Sequence, residues 1–338
     1  MSESEDRREV ETRERARTSA GDPEGESRRA RHRLLVALAF AAIYLIWGST
    51  YLAIRIAVES IPPFLMAGCR NLMAGLILFA LLRARGVAAP TATEWRHAAI
   101  AGLLMLGVGN GLVTWAEQTV PSNLAALLVA AVPIYTALLD WARPGGPRPQ
   151  RAVLVGITVG FAGMLLLVLP ERGAFAAPRG IGVVAILVSA LGWSIGTLRA
   201  RYGRRHSNSV MASAQMMMSG GAALLLVALA RGEAARVSWA AMSAHSVLAF
   251  AYLVLIGSLV AFSAFGWLVA RTSPALISTT AYVNPVVAVI LGWLLLDERL
   301  SPRALAGATL IIAAVITMTL GGGSVGRARR WLEARRVL

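Results

Sequence analysis

The chain is 338 residues long and 57% apolar, with a formal net charge of +15, 33 basic residues that are all Arg, and one cysteine. Without Lys there is no Walker-A lysine, no Schiff-base lysine and no lysine acid/base, and Cys69 alone allows neither an intrachain disulfide nor a cysteine metal cluster. A mean hydropathy of +0.62 and apolar runs recurring from Leu34 to Leu320 describe a polytopic membrane protein, expected in the plasma (inner) membrane without cofactor or metal.

Residues 1–33 hold nine Arg against nine Asp or Glu and little that could form a core, so a disordered cytoplasmic tail is expected. It lacks the early apolar run of a signal peptide. Ten spans follow, at 34–58, 63–83, 96–117, 121–141, 151–169, 180–200, 209–230, 246–270, 274–296 and 303–321. The connections alternate in charge: sixteen Arg fall on one side, including those of the basic tail 322–338, and six on the other. Cytoplasmic segments carry the Arg excess, so both termini are expected in the cytoplasm.

An apolar stretch with a central proline occurs twice, at 123–141 and 275–293, with Pro133 and Pro285 152 residues apart. Each proline should break its helix and leave a carbonyl four residues earlier unbonded, at Val129 and Ala281. Inside a bilayer such groups are tolerated only against protein or a water-lined cavity. Trp47 and Trp193, each followed by Ser and Gly within three residues, are 146 apart. These echoes indicate a duplication into a unit over 34–170 and a unit over 171–321. Five spans per unit is an odd number, so the second enters from the opposite side, and the expected fold is an all-α membrane protein of ten transmembrane helices in two inverted five-helix repeats.

The run Trp47-Gly48-Ser49-Thr50-Tyr51, Arg70 within AGCRNLMAGLIL, and Pro121-Ser122-Asn123-Leu124 leading to Pro133 resemble the EamA family of the drug/metabolite transporter superfamily. Tyr282-Val283-Asn284-Pro285 and Asp297-Glu298-Arg299-Leu300 resemble the matching landmarks of its second repeat. The resemblance covers about residues 38–320 and implies a central cavity and export of metabolites or drugs by alternating access. Two departures are Asp140-Trp141-Ala142-Arg143-Pro144, where an acidic "GE" turn is common, and Asn71, where an aromatic is common.

Candidate substrate contacts are the mid-depth aromatics and polar groups: Trp47, Ser49, Tyr51, Arg70, Trp115, Tyr135, Trp193, Ser194, Tyr282 and Asn284. Arg70 is the ionisable residue placed deepest in any span, and a charge at such depth must face the bundle interior with a partner, either Glu117 and backbone carbonyls or an anionic group of a substrate. Glu117 is the candidate for proton coupling, although it stands at a span end. Gly192-Trp193-Ser194-Ile195-Gly196 matches the G-x-S-x-G nucleophile elbow, which needs a strand, a turn and a helix; here it lies inside one apolar run, where the glycines at i and i+4 read as a packing face. An alternative reading as a membrane enzyme acting on lipid-linked substrates would need paired mid-depth acids or histidines, and His32, His97, His206 and His245 all fall in tails or near span ends. The expected partners are a small-molecule substrate and the lipid bilayer, with no nucleic acid.

Overall fold

In a computed structural model of the chain, residues 23–120, 131–168, 180–238, 242–284 and 305–318 are described, with a few more between these segments. The described elements are all helical: α1 (Pro23–Val58), α2 (Pro63–Ala84), α3 (Ala92–Ala116), α4 (Val132–Ala142), α5 (Arg151–Val168), α6 (Gly180–Tyr202), α7 (Ser209–Ala230), α8 (Ala244–Val269), the single turn α9 (Pro274–Ile277) and α10 (Leu305–Met318). Six of these helices, α1, α2, α3, α6, α7 and α8, are long and apolar enough to cross a membrane. At about 1.5 Å per residue, the 22 residues of α2 reach across a hydrocarbon core of about 30 Å. The six coincide with the spans expected at 34–58, 63–83, 96–117, 180–200, 209–230 and 246–270.

One expectation needs correction. Residues 23–33 are not an unstructured tail, because α1 already begins at Pro23. Once the apolar part of α1 is helical, extending it backwards adds one backbone bond per residue without a new nucleus, and Pro23 suits a first helical turn. Residues 1–22, residues 321–338 and Pro285 lie outside the described residues.

Local chemistry sets the helix ends. Thr91 and Glu94 form a reciprocal capping box at the start of α3, and the side chains of Asn208 and Ser243 accept backbone N–H groups at the starts of α7 and α8. The ends of α2 and α7 are built alike: Arg85 caps α2 before Gly86 at φ 77°, and Arg231 caps α7 before Gly232 at φ 66°. Only glycine adopts that left-handed conformation without a Cβ penalty. Both pairs, like the helix starts Pro63 and Ser209, are 146 residues apart.

The long helices pair across the two halves of the chain. Helices α2 and α7 pack closely along their length and run antiparallel, with Gly68 against Leu225 and Gly75 against Met218. A Cβ on Gly75 would come 2.8 Å from the Met218 backbone nitrogen, and one on Gly221 would come 2.5 Å from that of Leu72, so both positions require glycine. Helix α8 lies antiparallel on α1: Ser246 donates to the Ile56 carbonyl at 2.7 Å near one end, and Trp47 meets Phe265, 5.0 Å between ring centroids, further along. Helix α6 lies antiparallel on α3 in the same way, Gly182 near Val120 and Gly196 near Met105. Gly192 and Gly196 thus form a close-packed face against α3 within a continuous helix, which rules out a nucleophile elbow.

Candidate functional site

Helices α3 and α8 each contain a π-helical stretch of eight residues, Leu103–Asn110 and Leu253–Val260, 150 residues apart. Such segments widen the helix and often mark functional sites. Each has a carbonyl taken by a side chain from the other half of the chain: Ser189 of α6 donates to Gly109 O at 2.7 Å, and the Trp47 indole of α1 donates to Gly257 O at 3.3 Å.

Between these four helices lies a cavity of about 110 Å3. Its walls include Trp47, Tyr51 and Ile54 from α1, Arg70 and Asn71 from α2, Leu106, Asn110 and Val113 from α3, and Trp193 from α6; α8 adds Gly257, Ser258 and Phe262. Val129 and Ala281 also line it. These are the residues four before Pro133 and Pro285, whose carbonyls a proline leaves unbonded. Pro133 sits in the first turn of α4.

The aromatic rings form one connected floor. Trp47 and Trp193 meet edge to face with centroids 5.5 Å apart, and both contact Phe265, which stacks near Phe262. Edge-to-face pairs of this kind add to simple burial.

The polar part of the wall is under-satisfied. Arg70 is 6% exposed, and its Nε and Nη1 have no hydrogen-bond partner among the described residues. Glu117, the acid that faces Arg70 electrostatically, likewise keeps both carboxylate oxygens buried without a partner. Asn110 Oδ1 and Asn284 Oδ1 are two more buried acceptors without donors among the described residues; the Tyr51 hydroxyl lies beside the Asn284 amide. By contrast Asn71 is fully engaged, donating to Ala67 O at 2.8 Å and accepting from Ser258 at 3.4 Å. An orphaned buried polar group costs about 1–3 kcal/mol, and three such side chains, Arg70, Asn110 and Asn284, share this one cavity.

Of the residues singled out from the sequence, Trp47, Tyr51, Arg70, Trp193 and Asn284 come together in the wall. Others are placed elsewhere. Ser49 bonds Ile46 O and the Tyr252 hydroxyl on the α8 side. Ser194 donates to Ala190 O and Val132 O, and Trp115 packs with Phe64 and Leu65. Tyr135 packs with Val132 and Ala190, while Tyr282 is fully buried against α5 with its hydroxyl on Ile157 O at 3.2 Å. Thr50, Asn110, Ser189 and Ser258 also belong to the lining. Asn110 carried a signal, a lone amide in a glycine-rich mid-span run; the π-helical stretches left none. Among the described residues no three His, Cys, Asp or Glu side chains gather as a metal site.

Comparison with known proteins agrees with this architecture. Residues 34–169 and 180–320 each match the EamA-like transporter family. The "Uncharacterized inner membrane transporter YedA" of Escherichia coli (strain K12) is 42% identical over 286 residues, 84% of this chain and 90% of the relative. The "Uncharacterized transporter YoaV" of Bacillus subtilis (strain 168) is 24% identical, covering 84% and 96%. A "Probable terminal-alkyne amino-acid exporter" of Streptantibioticus cattleyicolor is 28% identical, covering 84% and 92%. A crystal structure 22% identical in sequence shares the fold with a TM-score of 0.71, over 87% of this chain and 99% of its own. With two family matches spanning most of its length and a relative this similar, the chain belongs to the EamA-like transporter family, a family of membrane transporters and not of enzymes.

Proposed function

We propose that the chain is a secondary-active exporter of small amphipathic, amino-acid-like metabolites or drugs, placed in the inner membrane with both termini cytoplasmic. It works by alternating access of two inverted five-helix repeats, 34–170 and 171–321. The observation that carries the substrate class is the unmatched polar wall. Arg70 offers a guanidinium fork suited to a carboxylate, and Asn110 Oδ1 and Asn284 Oδ1 offer acceptors suited to an ammonium. The apolar remainder, Trp47, Ile54, Leu106, Val113, Trp193 and Phe262, takes a side chain. Such a zwitterion would satisfy the Arg70 Nε and Nη1 and the Asn110 and Asn284 Oδ1 atoms, which have no partner among the described residues.

The inverted arrangement is supported by the antiparallel pairing of α1 with α8, α2 with α7 and α3 with α6, and by helix starts and ends repeated at one offset. The Arg-rich connections support the orientation. Among the relatives, one is named as an inner membrane transporter and one as an amino-acid exporter. Glu117, buried and near enough to Arg70 to feel its charge, is the candidate for proton coupling.

Counterflow in proteoliposomes tests this. Purified protein should exchange zwitterionic amino acids in preference to nucleosides and cationic drugs, and esterifying the carboxylate should weaken competition by about tenfold. No exchange with any member of the panel would sink the reading.

A further inference from the structure

We infer that Arg201 and Arg55 are the paired gate residues of this carrier, each positioned to close one end of the cavity in turn. This rests on the inverted-repeat reading above. Arg201 stands in the last turn of α6, and its Nη1 donates to Val269 O at 3.0 Å and Ala270 O at 2.6 Å. Those carbonyls end α8, where no helical N–H remains to bond them, and a cation there also meets the negative end of the helix dipole. Because α6 packs along α3 and α8 along α1, the clasp ties one helix pair to the other. It does so on the far side of the aromatic floor, where the second half of α8 touches α6.

At the opposite end of the bundle α1 and α3 finish. Arg55 lies 146 residues before Arg201, the same spacing that relates Trp47 to Trp193, and is the basic residue in the last turn of α1. Thr119 and Val120, which follow α3, lie 150 residues before Val269 and Ala270, the spacing of the two π-helical stretches. The duplication therefore sets a second arginine beside a second helix C-terminus.

That second clasp is open here. Arg55 is exposed and has no hydrogen bond or ion pair among the described residues, acting on Glu117 only through space. No contact like that of α8 with α6 joins α1 to α3. The cavity wall includes Ile54, beside Arg55 in sequence near the end of α1, and Val113 in the last turn of α3. Rocking the α1–α8 pair against the α3–α6 pair would break the Arg201 contacts and bring Arg55 to the carbonyls after α3.

The test uses full-length protein with Ser258→Cys as a near-isosteric reporter in the cavity, in a Cys69→Ser background, and a membrane-impermeant maleimide applied to right-side-out or inverted membrane vesicles. The parent should label quickly from the Arg55 side and slowly from the Arg201 side. Arg201→Gln should raise labelling from the Arg201 side by about fivefold, and Arg201→Lys, whose ammonium can reach the same carbonyls, should return it toward the parent. Adding Arg55→Gln to Arg201→Gln should restore labelling from the Arg55 side. Unchanged sidedness in Arg201→Gln, or failure of Lys to rescue, overturns the inference, since a residue that only stabilises the fold would lower yield without redirecting the reagent. If Arg201→Gln gives too little folded protein, Arg55→Gln in the parent decides: labelling from the Arg201 side should fall by about twofold, and no change overturns the pairing. The reagent reports no substrate, so a carrier that exchanges no amino acid can still pass, and a proven amino-acid exporter can still fail.

Discussion

Helices α2 and α7 share one backbone plan and carry different side chains on it. They start, end and turn at positions 146 residues apart, and Gly75 and Gly221 let them cross at close range. Where α2 carries Arg70 and Asn71 into the cavity wall, the same places on α7 hold Met216 and Met217, both buried in the apolar core. The two copies share a scaffold and differ in what they carry at matching places, an arginine and an amide in α2 against two methionines in α7. Buried polarity alone does not distinguish the copies. Gln215 on α7 is also fully buried, with both amide atoms unpaired among the described residues, yet it does not line the cavity.

The largest effect should come from the polar copy. Arg70→Leu is expected to weaken competition by zwitterionic substrates by about tenfold or more, near 1.4 kcal/mol, and Arg70→Lys should fall short of the wild type because it cannot bond a carboxylate bidentately. Counterflow at matched protein density measures both. A normal substrate profile in Arg70→Leu would reduce Arg70 to an anchor and erase the difference between α2 and α7.

The shared backbone is broken by size. Gly75→Val and Gly221→Val should each destabilise the detergent-solubilised protein by about 1–3 kcal/mol through overpacking at the crossing, seen as lowered thermal midpoints. If only one variant suffers, the two glycines do not do equivalent work.

Smaller changes sharpen the picture. Trp47→Phe removes the bond to Gly257 O within the α8 π-helical stretch and should cost about 1 kcal/mol. Trp193, with no such bond among the described residues, should tolerate Phe better; equal losses would mean that the rings matter only as the cavity floor. Gln215→Met should be neutral or stabilising by up to about 1 kcal/mol, since it removes a buried amide without a partner, and exchange should persist. Loss of exchange in that variant would extend the site beyond the cavity wall.

The sidedness of the two copies is checked with no expected change in transport. Ser207→Cys and Ser238→Cys replace exposed residues on either side of α7. They should react with an impermeant maleimide from opposite faces of the membrane. Labelling of both from one face would remove the inversion.

Residues read in order were enough for the membrane class and for six long spans, because a bilayer demands uninterrupted apolar runs. The duplication was legible too: Trp47 with Trp193 and Pro133 with Pro285 recur at nearly constant offsets. What a mid-span polar side chain faces was not legible. These helices are apolar nearly all round, so their own pattern gives little indication of how each is rotated about its axis. Packing against neighbours set that rotation, turning Tyr282 onto α5 and Ser49 onto α8 while leaving Asn110 and Asn284 in the cavity wall. The bonds from Ser189 and Trp47 to carbonyls of the π-helical stretches, and the contact of Arg201 with the end of α8, likewise exist only where distant helices meet, because they join residues far apart in the chain.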